Sequence, residues 1–255
     1  MIPYFGWTSF SIGPLTIYTW GLLVALGFVL GTYLAYRRAK SRGLDAEKVL
    51  DLALWIFIAS FIGARLLHVL FYDDGTFVSA PLSILDPRVP GFSMFGGFIG
   101  AAVASFAFFY RHKLNWIAYA DTLIWGLPWG CGVGRLGCFF IHDHPGTLTH
   151  SVLGVRYPNG EVRHDHGLYL SLIGFVTGLW FLWMNRKQRA PGFWLGSYMA
   201  IEGVTRFVLD FYRVADKTYL ALTPTQWLAI PVFIGGCVII SSYAPAPEPF
   251  SEREV

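Results

Sequence analysis

Apolar runs of helical length recur along the chain, each closed by a polar or Gly/Pro-rich break. Leu15 to Tyr36 follows a Gly13-Pro14 turn signal. Val49 to Tyr72, Ser93 to Tyr110, Asn115 to Gly132, Gly167 to Asn185, Gly192 to Leu209 and Gln226 to Tyr243 repeat the pattern. A run of about 20 apolar residues is enough to cross a bilayer as a helix. The pattern therefore predicts an all-α integral membrane protein with seven transmembrane helices. It breaks between the fourth and fifth runs, where Gly134 to Tyr169 is polar and titratable. Inside that stretch, Leu153 to Tyr157 and Glu161 to His164 flank Pro158-Asn159-Gly160, and Asn-Gly suits a tight hairpin turn. The expectation is a single seven-helix membrane domain over 1–243, with a small loop and β-hairpin cap at 134–166. The Pro- and Glu-rich residues 244–255 are expected to be a disordered tail.

Composition agrees with the pattern. Of 255 residues, 55% are hydrophobic and 14% charged, whereas a soluble domain carries about 25% charged residues. With a formal net charge of only +3, the placement of charges matters more than their sum. Basic clusters follow the first, third and fifth runs: Arg37, Arg38, Lys40, Arg42 and Lys48; Arg111 and Lys113; Arg186, Lys187 and Arg189. The positive-inside rule makes those ends cytoplasmic. The N-terminus and the cap then lie outside the cytoplasm and the C-terminus inside. No Lys or Arg precedes the first apolar run, so no cleavable signal peptide is expected. Basic residues that flank spans give no support to nucleic-acid binding. Without duplicated halves or broken helices, a transporter is also disfavoured.

The extracytoplasmic face carries Arg88, Arg135, Arg156, Arg163, Arg206 and Arg213, against the positive-inside trend. Clustered guanidinium groups are suited to phosphate, through bidentate charge-assisted hydrogen bonds. In a membrane the available phosphate is a lipid headgroup. Arg65 and His68 share one face of the second helix, where a structural arginine pairing with a carbonyl is the competing reading. Arg206 lies four residues from both Glu202 and Asp210, so a helix pair competes with a functional role there. Asp121, inside the fourth run, needs a partner from a neighbouring helix. The small residues of Gly96-Gly97-x-x-Gly100 allow close helix packing. Five of the seven histidines fall between His142 and His166. His142 and His144 alternate, as do His164 and His166, so in extended chain each pair points one way. These four are candidates for a base or for supporting the arginines. Two His-Asp-His triplets, with Asp143 and Asp165, also suggest zinc; a solvated loop is the plainer reading. Cys131, Cys138 and Cys237 show no disulfide framework and read as buried reduced thiols.

Several stretches resemble the prolipoprotein diacylglyceryl transferases, over nearly the whole chain. They are Gly63-Ala64-Arg65-Leu66-Leu67-His68, Gly134-Arg135-Leu136-Gly137-x-Phe139, Arg206-Phe207-x-x-Asp210-Phe211-Tyr212-Arg213, and Arg163-His164 with Leu168-Tyr169. That family transfers the diacylglyceryl group of phosphatidylglycerol to the lipobox cysteine thiol of prolipoproteins in the bacterial inner membrane, without metal or organic cofactor. The resemblance implies Arg135 and Arg206 as catalytic, phosphate-binding groups; His142, His144 and His164 are this reading's own catalytic candidates for the base. Arg65, Arg213, Gly134, Gly137, Gly96 and Gly97 would contact lipid or phosphate. Asp143, Asp210, His166 and Tyr169 would support the site. The implied partners are phosphatidylglycerol and the prolipoprotein signal segment.

This sequence departs from the family pattern at instructive places. Phe95 stands before Gly96-Gly97 where the family has His. Cys138 and Ile141 occupy two Asn positions, Asp143 the acidic one, Asp210 a usual Glu position and Leu170 the Glu position after Tyr169. Two alternatives therefore stay open. One is a related lipid-headgroup transferase or hydrolase using another acceptor, with or without a metal. The other is a non-catalytic lipid-binding relative.

Overall fold

The computed structural model describes residues 1–72, 93–214 and 218–242. The predicted loop at 73–92 with Arg88, the segment with Asp216 and Lys217, and the tail at 244–255 lie outside the described residues, as does the side chain of Phe95. The described residues are mostly helical: α1 (Thr19–Ser41), α2 (Ala46–Tyr72), α3 (Met94–His112), α4 (Trp116–Ile141), α5 (His166–Met184), α6 (Phe193–Leu209) and α7 (Pro224–Ser242). Among them, four are long and apolar enough to cross a membrane by length and composition: α1, Ala46–Leu70 of α2, α5 and α7. The chain divides into two compact units, Met1–Arg38 with Ala120–Val255, and Ala39–Tyr119.

In the smaller unit, α2 and α3 lie backbone to backbone. A Cβ on Gly96 would come within 2.2 Å of the Gly63 carbonyl oxygen, and one on Gly100 within 2.1 Å of that of Ala59. The small residues of α3 thus serve close packing, in which backbones approach without side chains between them. Ser93 starts α3 by accepting the Gly96 N–H at 3.4 Å. Its own N–H donates to the Ala64 carbonyl of α2 at 2.9 Å.

In the larger unit the helices are joined to more strands than the single predicted hairpin. Leu15–Tyr18, expected to open the first span, is strand β3, paired antiparallel with β2 (Ser9–Ile12). Gly13, at φ +61°, makes the two-residue turn with Pro14, and the β-branched and aromatic residues Phe10, Ile12, Thr16, Ile17 and Tyr18 fit the ladder. Helix α1 therefore begins only at Thr19. The cap is a four-stranded sheet in the order β1 (Ile2–Pro3), β5 (Val155–Arg156), β6 (Val162–Asp165), β4 (Pro145–Leu148). Antiparallel β5 and β6 form the hairpin predicted around Pro158-Asn159-Gly160, with Gly160 at φ +84°. Strand β1 joins β5 in parallel.

The fourth helix does not stop at Gly132, as expected, but continues to Ile141. Glycine and proline weaken a helix in water, but in lipid an unwound backbone has no water to satisfy it. Here the glycines also make the contact with α1: a Cβ on Gly126 would meet the Gly31 carbonyl oxygen at 2.0 Å, and one on Gly130 that of Gly27 at 2.6 Å. Near the start of α4, Trp125, Phe181, Trp194 and Tyr198 form a buried cluster. The Arg38 guanidinium lies 3.9 Å from the Trp125 ring centroid and 5.6 Å from that of Trp194. Asp121 finds its partner as the fourth run required: its two oxygens accept the N–H groups of Gly192 and Leu195 at 2.8 and 2.9 Å, at the start of α6. At the other end of α4, Phe139, Val155 and Leu168 are buried with Ile2, Phe5 and Tyr157 packed against them, which fixes the sheet to the helix end.

Candidate functional site

Two helix faces of the larger unit build the site. On α4, Cys131, Arg135 and Cys138 follow one another at spacings of four and three, so they share a face. On α6, Tyr198, Glu202 and Arg206 do the same at spacings of four. The faces meet where the Tyr198 hydroxyl lies 3.7 Å from Cys131 Sγ and 3.1 Å from Glu202 Oε1. Arg206 Nε donates to Glu202 Oε2 at 3.1 Å, the helix pair foreseen as one reading of that residue. Arg135 and Arg206 both lie within electrostatic reach of Cys131, so the two predicted phosphate-binding arginines flank one thiol. They differ in their partners. Arg206 is neutralised by Glu202, while among the described residues Arg135 has no carboxylate within ion-pair distance. Its hydrogen bond goes to Cys138 Sγ at 3.8 Å.

A second group ties the end of α6 to α7. Asp210 is buried, accepts from the Thr223 hydroxyl and takes Arg213 Nη1 at 3.3 Å. Gln226 returns the link from α7, donating Nε2–H to the Phe207 carbonyl at 3.1 Å. Arg213 also bridges to Gly146 of β4, so the sheet is anchored to this turn. Gly146 is closely covered: a Cβ there would meet the Tyr212 carbonyl oxygen at 2.6 Å and His164 Cβ at 2.8 Å. Arg163, by contrast, is occupied within the cap, donating Nε–H to Glu161 at 2.8 Å and Nη1–H to the Gly146 carbonyl at 3.0 Å.

The four histidines do not act as two like pairs. His142 follows the last residue of α4 with φ +50°, a left-handed turn that ends the helix. This turn breaks the extended geometry that alternation required, so His142 and His144 point apart. The His142 side chain is 0% exposed, paired through Nδ1 with Asp165 Oδ2 at 2.7 Å. The rings of Tyr4, Phe5, Phe139 and Tyr157 surround it. Asp165 in turn caps α5 through the Leu168 N–H at 2.9 Å. His142 thus holds the helix end, the sheet and the N-terminal segment together. His144 is 42% exposed, with Nδ1 at 2.5 Å from Asp143 Oδ1. Its hydrogen bond to Asp143, helped by one to Cys138 and opposed by burial, pushes its pKa up to about 9. His164 Nδ1 lies 2.7 Å from the Tyr169 hydroxyl, and its ring 4.7 Å from that of Tyr212. Burial, then repulsion from His166, pulls its pKa below the ordinary value. His166 donates Nε2–H to the Leu209 carbonyl at 3.0 Å.

The sequence reading missed Cys138 as a site residue. Its spacing of three from Arg135 was the available signal. Cys138 Sγ, an Asp143 oxygen and a His144 ring nitrogen lie within 4.8 Å of one another. The side chains of the two His-Asp-His triplets are split among different environments. Gly134 and Gly137 line the contact of α4 with α1, where a Cβ on Gly137 would meet Trp20 Cα at 3.1 Å. Arg65, buried on α2, and Gly96 and Gly97 on α3 belong to the smaller unit. An apolar cavity of about 620 Å³ opens between α5, α6 and α7, lined by Leu172, Val176, Trp180, Ile201 and Ile240 among others.

The family model for prolipoprotein diacylglyceryl transferase matches residues 8–242. Relatives named phosphatidylglycerol–prolipoprotein diacylglyceryl transferase align along most of the chain. The one from Nitrosomonas europaea is 32% identical over 249 residues, covering 93% of this chain and 90% of its own. That of Ectopseudomonas mendocina is 32% identical over 264 residues, covering 98% of each. That of Mannheimia succiniciproducens is 33% identical over 248 residues, covering 93% of this chain and 92% of its own.

Proposed function

The chain belongs to the prolipoprotein diacylglyceryl transferase family, and we propose that it transfers the diacylglyceryl group of phosphatidylglycerol to the lipobox cysteine thiol of prolipoproteins. It is a transferase of the bacterial inner membrane that serves lipoprotein maturation. The observation that carries the reading is Arg135, a guanidinium on an apolar helix without a carboxylate partner among the described residues. A charge at membrane depth is costly unless it meets a counter-charge, and a lipid phosphate supplies one.

The chemistry distributes over the residues as follows. The acceptor thiol loses its proton, and its sulfur attacks the glyceryl carbon bonded to the phosphate oxygen. The carbon–oxygen bond breaks, its electron pair stays on the phosphate, and glycerol 1-phosphate leaves as the thioether forms. Arg135, with Arg206 held by Glu202, binds the phosphodiester and stabilises the charge that grows on the leaving oxygen. The two histidines with opposite pKa displacements divide the proton work. His144, protonated at neutral pH, adds a second N–H donor for the phosphate beside Arg135. His164, neutral at that pH, is the base for the thiol, a task that Phe95 cannot perform at the family's usual histidine position. Arg213 and Asp210 hold the turn beneath the cap, while Arg65, Gly96 and Gly97 of the smaller unit contact lipid. The apolar cavity between α5, α6 and α7 supports lateral access for acyl chains or the signal segment.

Seven spans, with the N-terminus outside and the C-terminus in the cytoplasm, complete the proposal, supported by the basic clusters after α1, α3 and α5. The chain, purified into phosphatidylglycerol vesicles with a lipobox peptide, is expected to yield the thioether and glycerol 1-phosphate, and Arg135→Ala to yield neither above background. A folded wild-type chain that makes no product would remove this activity. Reporter fusions at both termini test the topology, and two reporters on one side would overturn it.

A further inference from the structure

We propose that Cys138, Asp143 and His144 form a binding site for a thiophilic divalent cation of the zinc class, at the end of α4, where a bound cation would displace the proton that makes His144 a phosphate donor in the reaction proposed above. The ligand set is a thiolate, a carboxylate and an imidazole, the combination that zinc and cobalt(II) favour over magnesium or calcium. It is not the set that the histidine triplets suggested. Sγ, an Asp143 oxygen and a His144 ring nitrogen already lie within 4.8 Å of one another. Tetrahedral zinc places such donors about 3.3–3.7 Å apart. Only the outer two side chains need to rotate, since Cys138 is fixed by the helix and buried at 5% exposure.

The surroundings favour a cation at this point. Cys138 belongs to the last turn of α4, where the carbonyl ends of the helix dipole attract positive charge. Sγ already accepts a hydrogen bond from the Arg135 guanidinium at 3.8 Å, and a cysteine binds metal through its thiolate. Asp143 and His144 are 32% and 42% exposed, so the site is open on one side and closed by the helix on the other. Three protein ligands leave a fourth position to water or another small ligand, as in zinc centres that are not fully closed. The chain path across the site is rigid. His142, between Cys138 and Asp143, is locked by Asp165 at 2.7 Å, and β4 follows directly at Pro145.

Cobalt(II) titration of the full chain in detergent tests the proposal, with Cys237→Ser as background to remove the exposed thiol on α7. One equivalent of cobalt is expected to produce a near-ultraviolet sulfur-to-cobalt absorption and the visible bands of tetrahedral cobalt. Zinc should displace it. Cys138→Ser should abolish the near-ultraviolet absorption, and His144→Ala should weaken binding at least about ten-fold, the lower range for losing one group of a metal site. Absence of a sulfur-to-cobalt absorption, or its persistence in Cys138→Ser, would overturn the site. Because the readout is optical, failure of the transferase reading leaves this result intact.

Discussion

Two arginines of the larger unit meet the apolar interior in opposite ways. Arg38 is covered by the faces of Trp125 and Trp194, with a ring centroid at 3.9 Å. Arg135, further along the same helix as Trp125, has a thiol as its hydrogen-bond partner. The first arrangement holds the cation permanently, since aromatic faces supply an electrostatic counterpart and exclude water. The second is the arrangement that, under the proposed function, meets a ligand arriving with its own negative charge. Helix α4 therefore packs Trp125 against a cation of α1 and carries nearer its other end the cation to which the proposal gives the chemistry.

The largest expected effect separates these two roles. Arg135→Ala should lower kcat/KM for transfer about 100- to 1000-fold, the loss typical of a removed charge-stabilising donor. Arg38→Ala should leave transfer per folded molecule near that of the wild type. Equal losses in the two variants, assayed in the same vesicles, would erase the contrast. Next, His164→Ala should cost about 100-fold in kcat with folding retained, in the range of a lost general base; an unchanged kcat would return His164 to the structural residues. The converse effect of Arg38→Ala is on stability, a loss of about 2 kcal/mol from the desolvated cation–π contacts, read by thermal denaturation in detergent.

The smallest effect is a shift along the pH axis. His144 has its pKa raised to about 9 by Asp143, whereas His164 is displaced downward. Activity should rise with pH as His164 loses its proton below the ordinary histidine value. It should fall again near pH 9 as His144 loses its own. Asp143→Asn should move only the alkaline limb, toward lower pH. The stability contribution of the Asp143–His144 pair has the corresponding sign. It is complete below the unfolded value of about 6.5 and disappears as pH rises through about 9. A profile unmoved by Asp143→Asn would sever His144 from the alkaline limb.

Much of this organisation was legible in the residues. Apolar runs located the helices and Asn159-Gly160 located the hairpin, and the cost of charge in a membrane singled out Arg135 and Arg206 as candidates. What escaped has identifiable physical causes. Leu15–Tyr18 is as apolar as a helix start, and only the Gly13-Pro14 turn and the β-formers Thr16, Ile17 and Tyr18 distinguish it as a strand. The extension of α4 to Ile141 was hidden because Gly126 and Gly130 read as breakers until the facing Gly27 and Gly31 are in place. Close approach across 100 residues has no local signature. The orientation of the histidines escaped for a similar reason. Alternation orients side chains only in extended chain, and a single left-handed residue at His142 sends two neighbours to opposite environments. Cys138 was dismissed on residue type, because a buried thiol in sequence gives no hint that an arginine, a carboxylate and an imidazole converge on it.

The parallel pairing of Ile2 with Val155 sets a timetable for biogenesis. Strand β1 leaves the ribosome first, yet its partner follows more than 150 residues later. At roughly 5–20 residues per second, that interval lasts on the order of 8 to 30 seconds. During it the first strand must stay unpaired at the membrane surface while the helices insert. The sheet that holds His164, and that His144 leads into, can close only after α4 has been delivered whole, so the proposed site is assembled late. A bulky tag placed before Ile2 should therefore slow maturation more than one placed after α7, a difference that pulse-chase protease protection would time.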